Sequence, residues 1–85
     1  MPEITRFYGI VIKMFFKLKE YEPPHIHAIY NDHVGIFSID TFEMIEGDMP
    51  NRARQMIVEW MKIHKTELST MWNSQKIIKL SPLVD

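Results

Sequence analysis

The hydrophobic period of this chain changes once, at Gly47–Asp48, and that change constrains its fold more than any other feature. Before it, apolar residues come in short runs rich in β-branched and aromatic side chains, as strands require. After it, they recur every three or four residues as far as Asn73, as one amphipathic helix requires. A chain of 85 residues has room for one domain, read here as 1–85. The expected architecture is α+β and two-layered. An antiparallel meander of three to four strands is followed by one long amphipathic helix packed on one of its faces.

The run "GIVIKMFFK" (Gly9–Lys17) predicts a first strand. Strict alternation puts Ile10, Ile12, Met14 and Phe16 on one face and Val11, Lys13, Phe15 and Lys17 on the other. "KEYEPP" reads as a loop, because Pro23 and Pro24 lack N–H donors and hold the backbone before them extended. "HIHAIY" (His25–Tyr30) predicts a second strand, with Ile26, Ala28 and Tyr30 on one face and His25, His27 and Ile29 on the other. Asn31 and Asp32 tolerate a left-handed turn, so "VGIFSID" (Val34–Asp40) returns as the hairpin partner. A short fourth strand is expected around Glu43–Glu46. Asp48 suits an N-cap and Pro50 a first helical turn, which opens a helix over about 50–73. Its apolar side carries Ala53, Met56, Ile57, Trp60, His64, Leu68 and Met71. The tail, 76–85, alternates weakly and reads as an edge strand or a docking arm.

Composition bounds the class. With 46% hydrophobic and 25% charged residues the chain is globular in character, not disordered. It has no cysteine, so disulfide staples and thiolate metal sites are excluded. Small secreted domains usually need such staples, and "MPEITRFYG" lacks a basic start followed by an apolar run; a cytoplasmic location is expected. No apolar stretch approaches the roughly 20 residues that span a bilayer, so no membrane association is expected. A net charge of −1 gives no overall attraction to nucleic acid, which leaves only a local basic patch for such binding. Arg52, Arg54, Lys62 and Lys65 are interspersed with Glu59 and Glu67, the pattern of a solvated helix face.

The chemistry-bearing residues cluster in "PPHIHA". His25 and His27 fall on one strand face with Cβ atoms roughly 6.5–7 Å apart. Three readings stay open. As metal ligands they would hold a divalent ion such as zinc and would need a third protein ligand, from His33, Asp32, Glu20, Glu22 or His64. As catalysts, one imidazole would take a proton while its neighbour gives one. In that metal-free ribonuclease logic Lys13, with Lys17 and Arg6 near it, would steady charge on phosphorus. As structural groups they would bond backbone that the prolines leave unpaired. His25, tied to the proline corner, is expected to be structural, and His27 is the better functional candidate. His64 is expected as a core imidazole donating to a carbonyl or to Tyr30.

Trp60 is read as core. Trp72 stands about 120° round the helix from it, so it anchors an interface or packs on the tail. Met44, Met49 and Met61 suit an adaptable partner surface or ordinary core filling.

"RFYGI" (Arg6–Ile10), "PPHIHA" (Pro23–Ala28), "IEGDMP" (Ile45–Pro50) and the spacing of Glu59, Trp60, His64, Glu67, Leu68 and Trp72 together resemble a small bacterial and archaeal family. It is the domain-of-unknown-function family numbered four thousand one hundred and sixty. The resemblance covers nearly the whole chain, and the "PPHxHA" box is its most specific part. It carries no established activity. It implies one half of a two-gene arrangement resembling toxin–antitoxin modules, with a small protein encoded by a neighbouring gene as partner; a homodimer is a further option. Two positions depart from the pattern: Ile26 stands where phenylalanine is commoner, and Tyr21-Glu22 stands where the loop usually carries Asn or His.

Overall fold

A computed structural model describes residues 3–15 and 23–83. The chain is α+β: among the described residues five antiparallel strands, β1 (Glu3–Phe7), β2 (Ile10–Lys13), β3 (His25–Tyr30), β4 (His33–Ser38) and β5 (Met44–Gly47), precede two helices, α1 (Asn51–Ile63) and α2 (Lys65–Ser74). The strands lie in the sheet in chain order.

Strand number corrects the sequence reading, which has no strand at Glu3–Phe7. The register between β1 and β2 shifts between Glu3 and Thr5. Ile4 and Thr5 are consequently both buried, then Phe7. A bulge of this kind breaks the two-residue alternation by which a strand is recognised. Tyr8 and Gly9 both take positive φ, 50° and 80°, and close the β1–β2 hairpin in two residues. The first expected strand, Gly9–Lys17, is Ile10–Lys13 among the described residues; Phe16 and Lys17 lie outside them, as does most of the "KEYEPP" loop.

The register places Ile12 opposite Ala28 and Ala28 opposite Gly35, with Ile26 opposite Phe37. Directly opposed residues share a face, so Ile10, Ile12, Ile26, Ala28 and Phe37 form one apolar side. Ala53, Ile57, Trp60 and Met61 of α1 and Leu68 and Met71 of α2 complete the core on that side. Met61 is fully buried and Met49 nearly so, while Met44 packs half-buried against the core. Core filling therefore accounts for Met49 and Met61, and neither offers an adaptable partner surface.

The long helix is also corrected: it divides at His64, whose φ of −109° and ψ of 24° lie outside helical geometry. His64 belongs to both helices by hydrogen bonding: its N–H donates to the Trp60 carbonyl at the end of α1, and its carbonyl accepts Leu68 N–H at the start of α2. Leu68 and Met71 beyond the break are buried in the core, as Ile57 and Trp60 are before it. A periodicity count sees only that these positions recur, so it cannot register a one-residue break between them.

The helix start differs as well. Pro50 occupies the N-cap position, with no side-chain cap, and its carbonyl receives Arg54 N–H at 2.8 Å. Asp48, expected as the cap, belongs to the sheet edge. Its N–H donates to the Val34 carbonyl, and its carboxylate accepts His33 Nδ1–H at 2.7 Å. Gly47 just before it has φ of 92°, and a Cβ there would stand 2.0 Å from the Val34 oxygen. Only glycine fits that approach.

Beyond α2 the chain runs to Leu83 without forming a regular strand. Leu80 N–H donates to the Ile4 carbonyl on the outer side of β1, Ser81 accepts the Trp60 Nε1–H at 2.8 Å, and Leu83 is buried.

Candidate functional site around His25 and His27

Pro23 and Pro24 shape the entry to β3. The Pro24 carbonyl accepts Ile39 N–H at 2.9 Å, and the Pro23 carbonyl lies 2.9 Å from His25 Nδ1. A carbonyl can only accept, so His25 carries a proton on Nδ1. Its ring is buried, with the Trp72 indole centred 5.0 Å away and the His27 ring 5.4 Å away. Trp72, half-buried on α2, thus has an imidazole as a packing partner. Across the ladder from His25 sits Ser38, also buried, whose hydroxyl accepts the N–H groups of Asp40 and Thr41 and so builds the turn after β4.

His27 is half-buried on the same face. The Phe15 ring meets it edge to face at 4.6 Å. Its ladder neighbours are Lys13 on β2 and Ile36 on β4. Alternation sets the two histidines on one face, and the β2–β3 register brings Lys13 beside them. Lys13 is also opposite Glu3 on β1. Arg6 is committed elsewhere: its guanidinium bonds both oxygens of the Glu3 carboxylate, at 3.0 and 3.2 Å. That pairing holds the Glu3 carboxyl below the ordinary carboxylate range, with Lys79 and Lys13 adding to the effect, and raises Arg6 in turn.

The other suggested ligands do not converge. His33 follows the turn at the far end of β3, about 16 Å along the strand from His25, and is bonded to Asp48; Asp32 lies in that turn. His64 stacks on Trp60 with ring centres 5.0 Å apart, and its Nδ1 stands 3.7 Å from a Glu67 carboxylate oxygen, in place of the carbonyl or Tyr30 partner expected for it. Glu20 and Glu22 lie outside the described residues. Among the described residues no group of three or more His, Asp or Glu side chains is placed to hold a metal ion. The pair His25–His27 supplies two of the donors a zinc site would use.

Sequence reasoning does not reach two features beside this pair. One is the Phe15–His27–His25–Trp72 series of ring contacts, in which a helix residue far along the chain closes on the proline box. The other is the outer face of the sheet, where Val11, Ile29 and Val34 lie opposite one another, with Ile36 next to His27. None of these four apolar residues belongs to the core cluster, and Val34 is 45% exposed.

Among the described residues no helix is long and apolar enough to cross a membrane. No curated protein and no solved structure matches the chain. One family model, described as Domain of unknown function (DUF4160), matches residues 9–73. That span takes in the proline–histidine box, the Gly47–Asp48 corner, α1 and most of α2, and the chain belongs to this DUF4160 family.

Proposed function

We propose that this protein is a partner-binding module, one component of a two-gene pair of the toxin–antitoxin kind, acting through protein–protein contact. The observation that supports this is the outer face of the sheet. A solvated antiparallel face normally alternates polar residues outward. Here the outward positions at the centre of three adjacent strands are Val11, Ile29, Val34 and Ile36. Val34 is exposed and Val11, Ile29 and Ile36 are half-buried around it, and contiguous apolar surface that reaches solvent marks interaction sites. The partner in this reading is the small protein encoded by the neighbouring gene, seated on that face.

Co-expression tests the reading. The tagged chain should retain the neighbouring gene product through purification, and growth should differ between each chain alone and the two together. Val34→Lys, at an exposed position, should leave folding intact and abolish retention. Retention unaffected by Val34→Lys, or no complex at all, would overturn it.

A second reading has its own support: Lys13 is the ladder neighbour of His27, which sets a cation beside an imidazole pair. A histidine-dependent nuclease, or a protein binding a divalent metal such as zinc, would use His25, His27 and Lys13. Cleavage of RNA by the purified chain, lost in His27→Ala, would favour this reading over the first.

A further inference from the structure

The two edges of the sheet are treated differently. The outer side of β1 receives the tail, through Leu80 N–H at the Ile4 carbonyl. Among the described residues β5 pairs on one side only, with β4, and it carries Ile45 half-exposed. Beside β5, on the helix side of the sheet, a groove of about 590 Å³ runs between Phe42 and Met44 and the flank of α1. That volume is within the range of binding clefts, roughly 300–1,000 Å³. An edge strand beside a helix-walled groove is the geometry by which an extended peptide adds to a sheet, its backbone pairing with the open edge and alternate side chains entering the groove.

The groove also specifies charge. Arg54, Val58 and Lys62 line it at four-residue intervals on α1, so they form one row along the helix. Val58 faces the apolar floor and a cation stands one turn to each side. Arg54 and Lys62 are separated by about 12 Å along the helix axis. In an extended strand, residues four apart are separated by about 13 Å and point to the same side. Neither cation forms an ion pair with a carboxylate among the described residues; Arg54 bonds only the Asn51 amide oxygen. Lys65 stands 5.7 Å over the Phe42 ring at the groove's edge and adds to the positive side. Glu43 and Glu59 also line the groove, which disfavours a uniformly acidic ligand and favours two placed carboxylates.

We infer that the β5–α1 groove binds an extended peptide segment of a partner protein, with an apolar side chain at its centre and an acidic residue two positions to either side. The central side chain fills the space between Phe42, Met44 and Val58. The flanking carboxylates meet Arg54 and Lys62. This surface is distinct from the outer face bearing Val34 and Ile36 and does not depend on it.

The test is a titration of the isotope-labelled full chain, followed by amide NMR shifts, with the capped heptapeptide Thr-Glu-Thr-Leu-Thr-Glu-Thr. Saturable shifts confined to 43–47 and 54–62 are expected. The peptide with lysine in place of both glutamates should bind about tenfold more weakly. The exposed double variant Arg54→Glu/Lys62→Glu should invert that preference, with its melting temperature checking that it remains folded. Four results would overturn the inference: no saturable binding, shifts centred on Val34 and Ile29, a preference unchanged in the double variant, or a peptide-free dimer that protects the same amides. Whether the neighbouring gene product occupies the outer face is tested separately, by Val34→Lys.

Discussion

The His25 imidazole and the Trp72 indole lie 5.0 Å apart with their planes tilted by 55°, which joins the proline–histidine box to the last turns of α2. The contact explains why a histidine can be buried at the first residue of a strand. Its Nδ1–H is satisfied by the Pro23 carbonyl, and one side of the ring is covered by an indole.

Removing His25 should therefore destabilise the fold. His25→Ala loses a buried hydrogen bond and the ring packing, an expected cost of about 2–3 kcal/mol. Trp72→Ala should cost less when made on the His25→Ala background, with a coupling of about 0.5–1.5 kcal/mol. Denaturant unfolding of the two single variants and the double variant measures that coupling. Strict additivity would mean that the two rings merely lie near each other.

His27 is expected to behave differently. It is half-buried at mid-strand, and His27→Ala should lower stability by less than His25→Ala does, by about 1 kcal/mol or less. Thermal unfolding with and without zinc separates the readings of the pair. If zinc raises the melting temperature of the wild type and of neither alanine variant, the two imidazoles are ligands of one ion.

Gly47 is irreplaceable on steric grounds. Its φ of 92° and the 2.0 Å that would separate a Cβ from the Val34 oxygen leave no room for alanine. Gly47→Ala should cost at least about 2 kcal/mol and should disturb the amide signals of Val34 and Asp48 first. A variant with unchanged stability would show that the strand–helix corner relaxes freely.

The Arg6–Glu3 pair gives a pH dependence whose sign follows from the lowered Glu3 pKa. Its contribution is present above the unfolded carboxyl's pKa and is lost as pH falls through the lower folded value. Arg6 is exposed and Glu3 partly so, so Glu3→Gln should lower the melting temperature at neutral pH only slightly. The difference between wild type and Glu3→Gln, small as it is, should vanish in acid.

Local order along the chain was legible where burial follows a simple period. The β3–β4 hairpin reads directly from alternation around Asn31–Asp32, and Ala53, Ile57, Trp60, Leu68 and Met71 read as one helical face, because strand and helix geometry alone decide which residues can share a side. The same geometry put His25 and His27 on one face of their strand, while the register that sets Lys13 opposite His27 came only with the sheet. What the sequence could not determine depends on contacts between distant segments. β1 was hidden by its bulge, since the extra residue that buries both Ile4 and Thr5 also destroys the alternation. The break at His64 falls between apolar positions that keep their three- and four-residue spacing, so the periodicity does not mark it. Asp48 is a good N-cap in isolation, yet His33 from the neighbouring hairpin and the Val34 carbonyl take it for the sheet edge. Trp72 finds His25, and Leu80 of the tail meets the Ile4 carbonyl on β1, only because the completed fold sets those surfaces side by side. Alternation decides what a residue can face, and the packing of remote elements decides what it meets there.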